Sequence, residues 1–124
     1  MDITPLLPEG RQVIQAYGDG GFRIAGTRHG GAVLILPGQT VPWPVDGLAG
    51  LAAGDFAPVV RARPAVEILL IGCGSRVAPL APALREALRA EGIVVEAMDT
   101  GAACRTWNVL LAEERQVAAA LLPV

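Results

Sequence analysis

No lysine occurs in this chain of 124 residues: all ten basic residues are arginine, set against twelve acidic ones. Together with the heavy use of Ala, Gly and Pro, this reads as a GC-rich coding bias, not a chemical requirement. The formal net charge is −2. That balance excludes nucleic acid as the main partner, because neutralising phosphates takes clustered cations. Two cysteines, Cys73 and Cys104, do not make a disulfide framework, and they point to a reducing cytoplasm. His29 is the single histidine. Flanked by Gly30 and Gly31 it reads as a turn residue, and no partners for a Ser/His/Asp triad or a metal site are evident. No metal and no cofactor is therefore expected. Apolar residues make up 52% of the chain. No run approaches the roughly 20 residues that cross a bilayer, so the excess points to buried strands. Met1-Asp2-Ile3-Thr4-Pro5 lacks a basic stretch followed by an apolar one, and no secretory or Arg-rich transit segment is expected.

What is present divides into two grammars. Residues 1–12 hold Pro5, Pro8 and Gly10 and read as an irregular lead-in to a single domain spanning 1–124. Short strands are predicted at 13–18 and 22–27, separated by Asp19-Gly20-Gly21, with a second turn at His29-Gly30-Gly31 and an apolar run at 32–36. This is an antiparallel meander. Three prolines between Pro37 and Pro44 make that segment loop or sheet edge. A short helix capped by Asp46 is predicted over 46–53, and a strand over 56–60. From Val66 onward the pattern alternates. Strands are predicted at 67–71, 93–97 and 117–122, and helices at 79–91 and 101–114. The first helix carries Leu80, Leu84, Ala87 and Leu88 on one face and the second carries Ala103, Trp107, Leu110 and Leu111. The predicted fold is α/β: a central mixed, largely parallel sheet, two main helices and an N-terminal antiparallel β meander.

If the strands ending at Gly72 and Met98 are neighbours, their C-terminal ends form a crevice of the kind that holds ligands in open α/β sheets. One lip is Gly72-Cys73-Gly74-Ser75, whose backbone N–H groups could hold a small anion. The full dinucleotide glycine pattern is absent, and a plain tight turn explains the same residues. The other lip is Asp99-Thr100-Gly101. Asp99 or Thr100 is expected to cap the second helix, since no matched acid or base stands nearby. Cys104 lies in that helix's first turn, where the dipole and Arg105 would favour a thiolate; a plain buried cysteine is the competing reading. Arg105 and Asn108 fall off the core stripe, free for an anion or a partner carboxylate, or simply solvated. Trp43, in Val41-Pro42-Trp43-Pro44, either plugs one end of the core or anchors a partner.

Four segments carry a resemblance: Gly18 to Ile24, Leu34 through Trp43, Glu67 to Gly74, and Asp99 to Leu110 with its Asp-Thr-Gly-Ala-Ala-Cys-Arg-Thr-Trp-Asn text. Together they resemble a family of small single-domain α/β proteins of unknown biochemical function. That family includes the adipogenesis-associated protein and a mitochondrial assembly factor for respiratory complex I. The resemblance runs from about residue 10 to the end, and Cys73 stands where relatives often have Thr. It implies a compact α/β domain with a mixed sheet and an added antiparallel part. It carries no catalytic residue across. The implied role is a non-enzymatic binding or assembly-type module, linked to respiratory complex assembly, with other proteins as partners and no transmembrane segment. Arg105, Asn108 and Trp43 are its candidate contact residues. The alternative is a small-molecule or anion-binding protein, or a thiol-using enzyme, at Gly72–Ser75 with Asp99, Thr100, Cys104 and Arg105. Homo-oligomerisation is a third reading.

Overall fold

The computed structural model describes residues 11–124. The expected lead-in therefore lies, up to residue 10, outside the described residues. Three strands, β1 (Ile14–Gly18), β2 (Gly21–Ile24) and β3 (Thr27–Gly30), form a small antiparallel sheet in that order. Both of its hairpins turn through two residues of positive φ, Asp19 and Gly20 in one, Ala25 (φ 49°) and Gly26 in the other. Positive φ at both central residues is the two-residue turn that matches strand twist. The second turn corrects the expected strand over 22–27 and the expected turn at His29. His29 lies in β3, paired with Phe22. A turn led by Ala25 lacks the Asn or Asp that marks such sites in sequence.

A second, five-stranded sheet is ordered β5-β4-β8-β6-β7. β4 (Val33–Leu36) and β5 (Gln39–Pro42) form a hairpin, and β4 runs antiparallel to β8 (Val117–Leu121). β6 (Ile68–Gly72) runs parallel to both β8 and β7 (Val94–Met98). Every residue of β8 is buried. Its Ala118-Ala119-Ala120 centre lets layers on both faces approach closely. The sheet is thus mixed, with its parallel half at β8-β6-β7. β5 at the edge accommodates Pro42, whose missing N–H a central strand could not absorb.

Two helices cover opposite faces. α2 (Pro82–Ala90) buries Leu84 and Leu88 on one side. It starts three residues later than predicted because Pro82 pushes Ala81 out of the helical region, to ψ 130°. It ends at Gly92, φ 81°, whose N–H bonds Arg89 O while the Ile93 N–H bonds Leu88 O. That pair of bonds satisfies the last carbonyls, and a left-handed residue is needed between them. α3 (Thr100–Ala112) covers the other side with Ala103, Trp107 and Leu111. The predicted helix at 46–53 is absent. A single 3-10 turn, Ala53–Phe56, runs into α1 (Ala57–Arg61) where a strand was predicted. Phe56 and Val59 are both fully buried. Their spacing of three is helical, and Pro58 in the first turn costs a helix nothing but would break a strand ladder.

Candidate functional site

The two lips of the expected crevice do meet, because β6 and β7 are neighbours. They are closed on each other by Thr100. Its backbone N–H donates to Gly74 O at 2.8 Å and its hydroxyl donates to Leu122 O at 2.7 Å. The same hydroxyl oxygen accepts from the Gly74 N–H at 2.9 Å. The Cys73 N–H donates to Met98 O, and the Leu122 N–H to Gly72 O. One buried threonine therefore ties together the chain segments that follow three adjacent strands. Gly72 allows this closeness: a Cβ there would stand 2.9 Å from a Leu121 methyl and 3.0 Å from the Thr100 hydroxyl. The Cys73 and Gly74 amides, expected as an anion cradle, spend their hydrogens inside the fold. Ser75 stands exposed beyond them.

Asp99 is the cap of α3, its carboxylate accepting from the Ala102 N–H at 2.9 Å. Its own side chain thus fills the position where an anion would sit. Cys104 is fully buried beside Trp107. Burial raises its thiol to about 12, outweighing the opposite pull of Arg105, with Asp99 adding to the rise. The helix terminus favours a thiolate only where the sulfur keeps some contact with water; here desolvation wins. The two cysteines lie on opposite faces of the sheet, Cys73 packed with the α2 side and Cys104 with the α3 side. They form no pair.

Asn108 corrects the expectation of a free polar contact. It is 7% exposed. Its amide accepts from the Ile14 N–H at 3.0 Å and donates to Ile14 O at 2.9 Å, as a neighbouring strand would. Next to it, the Trp107 indole N–H donates to Gln12 O at 2.7 Å. Arg11 adds a bond to Leu111 O near the end of the helix. The most distinctive stretch of the sequence is thus the device that docks α3 onto β1 and the segment before it. Arg105 alone stays exposed, and its guanidinium donates to the Tyr17 hydroxyl at 3.1 Å. Trp43, offered as a partner anchor, is 3% exposed. Its indole donates to Asp55 O at 2.9 Å and its ring meets Phe56 at 5.3 Å. It plugs the core from just beyond the end of β5, where its N–H donates to Ala32 O at 3.0 Å and the proline on each side can donate nothing.

Thr100 and Tyr17 carry more of this site than the sequence suggested. Asn108 did have a signal: with Cys104 and Leu111 it forms an i, i+4, i+7 stripe. Among the described residues no group of three or more His, Cys, Asp or Glu could hold a metal ion. No described helix is long and apolar enough to cross a membrane.

Residues 14–122 match the family described as "Protein of unknown function (DUF498/DUF598)". The chain belongs to this family. An uncharacterised protein of Rhodobacter capsulatus is 42% identical over 111 residues, covering 90% of this chain and 84% of that one. The human protein named NADH dehydrogenase (ubiquinone) 1 alpha subcomplex assembly factor 3 is 36% identical over 110 residues, 89% of this chain. The match spans 60% of the length of that assembly factor. A crystal structure from Bordetella parapertussis superimposes with a TM-score of 0.84 at 39% identity, covering 93% of this chain and 98% of that one. A solution structure from Bordetella pertussis, described as a Mth938-like domain, gives 0.81 at 35% identity over 99% and 92%. The fold is Mth938-like.

Proposed function

We propose that the protein is a non-enzymatic, assembly-type module that binds other proteins in the course of building a respiratory complex. The observation that carries this reading is the extended identity with proteins named as complex I assembly factors, across the whole α/β unit. The site geometry supports it from the other side. The Asp99–Asn108 stretch spends its polar atoms on capping and docking, and its cysteine is sealed. Catalysis by a thiol needs an accessible thiolate, and Cys104 offers none. A cytoplasmic location is part of the proposal and rests on the two free cysteines. The test is quantitative capture from the protein's own host under mild crosslinking. Subunits of NADH dehydrogenase, or their partial assemblies, should be enriched over a control bait of the same size. Enrichment of none of them would remove the assembly reading. Chemical-shift changes at Ser75 and Arg105 on adding inorganic phosphate would instead favour an anion site at the strand ends.

A further inference from the structure

On the α3 face of the five-stranded sheet, cover is only partial at one edge strand. α3 packs over β6 and β8, while the small sheet covers β4 through Ile14, Phe22 and Ile24. Adjacent strands lie about 4.8 Å apart and packed helices about 8–10 Å apart, so one helix covers roughly two strands. β7, the last strand, meets α3 only in part and leaves Val94 and Glu96 exposed on this side. Its alternation records the difference: Val95 is 4% exposed beneath the α2 face, whereas Val94 on the α3 face is 54% exposed. Between β7 and α3 runs a groove of about 580 Å³. Its floor and walls are apolar, chiefly Ile68, Val94, Met98 and Leu110. Val109, 58% exposed, sits beside Leu110 on the helix.

The rim is acidic. Glu67 and Glu96 both line the groove and are exposed. Among the described residues neither has a cation within ion-pair distance, and the one arginine of the lining, Arg115, faces Glu113 at 3.8 Å. An apolar trough bordered by unpaired carboxylates complements a segment that is apolar on one side and basic along its flank.

We propose that this groove seats an amphipathic helix of a partner protein, lying beside α3 over β7, with its apolar stripe on Val94, Met98 and Leu110 and its basic flank toward Glu67 and Glu96. The proposal rests on the assembly-module reading and names the surface that reading lacks. Two stapled 18-residue helical peptides, each with a leucine stripe, one flanked by lysine and one by glutamate, serve as probes in fluorescence anisotropy. The lysine-flanked peptide should bind at least tenfold more tightly, and Val94→Glu should weaken it at least tenfold. Glu96→Lys should shift the preference toward the glutamate-flanked peptide. Both substituted residues are exposed, so thermal melts of the variants should match the parent. Equal binding of both peptides, or none, overturns the proposal. So does a dimer of the free protein that Val94→Glu disperses, since a second copy then owns the groove. The Val94→Glu/Glu96→Lys variant in the crosslinked capture separates the two readings. If the parent enriches respiratory subunits and the variant enriches them equally, the groove is wrong and the assembly reading stands. If the parent enriches none, the assembly reading itself falls.

Discussion

Each face of the five-stranded sheet carries one tryptophan and one cysteine, and the two faces are built by different means. On the α3 face, Trp107 and Asn108 reach backbone groups of Gln12 and Ile14, more than ninety residues away in sequence. On the α2 face, Trp43 reaches Asp55, only 12 residues away, and its ring meets the adjacent Phe56 at a tilt of 49°. One face is closed by long-range bonds from a regular helix. The other is closed by the short helix α2 together with a local plug of short turns. The difference explains why Asp99–Asn108 looks like an active-site motif. Residues that must meet a distant backbone group in a fixed geometry are as constrained as catalytic ones.

The comparison breaks most visibly at Trp107. Trp107→Ala should cost about 3–5 kcal/mol, as expected for emptying a fully buried aromatic site. The loss should release amide protection across β1 and β2 in hydrogen exchange. Trp43→Phe keeps most of the ring and gives up one indole bond to a carbonyl of an exposed residue, so about 1 kcal/mol is expected. Equal losses in denaturant unfolding would mean that the two faces are not held differently. Asn108→Leu comes next. It strands both the N–H and the carbonyl of Ile14 in the core, at about 1–3 kcal/mol for each unsatisfied group. A loss below about 0.5 kcal/mol would show that the amide is not what docks β1.

The cysteines extend the contrast to pH. Native Cys104 stays protonated up to about 12, while the same thiol in the unfolded chain ionises near 9.0. A raised folded value favours the native state below the unfolded one. That contribution is therefore whole below pH 9 and drains away as pH rises toward 12, by at most about 1.4 kcal/mol per unit. Cys104→Ala should flatten this alkaline decline in chemical denaturation. At pH 8 iodoacetamide should label Cys73, which is half-buried, well before Cys104. Comparable labelling rates by mass spectrometry would contradict the sealed site.

Legibility followed the range of the interactions. The stretch from β6 to β8 reads well because strand, cap and helix signals there are local: Asp99 caps from its own position, and Gly92 ends α2 where a left-handed residue belongs. Asn108 was misread because its partner lies 94 residues away. The segment from Asp46 to Arg61 was misread for the opposite reason. Its helix is only five residues long, too short for a period to show, and its apolar signal reduces to Phe56 and Val59. The prolines flanking Trp43 marked a loop or sheet edge but not the direction of the ring. Only the arrival of Asp55 and Phe56 decides that.

The smallest effect expected is a gain, at the turn that the sequence concealed. The β1–β2 hairpin turns on Asp19-Gly20, a residue pair suited to positive φ, whereas the β2–β3 hairpin turns on Ala25-Gly26. Alanine at φ 49° crowds its Cβ against the following carbonyl. Asn tolerates that region far better and heads the preferred pair for this turn. The Gly26 N–H already bonds the Gln15 side chain at 2.7 Å, so the turn needs no new contact. Ala25→Asn should raise stability by about 0.5–1 kcal/mol, a gain of the size that relieving one strained backbone position gives. Because the small sheet underlies Trp107, the added protection should appear in β1, β2 and α3 and leave the β4–β5 hairpin unchanged. If protection rises equally around Trp43, the two faces unfold as one unit, and the separation between them is a matter of construction and not of stability.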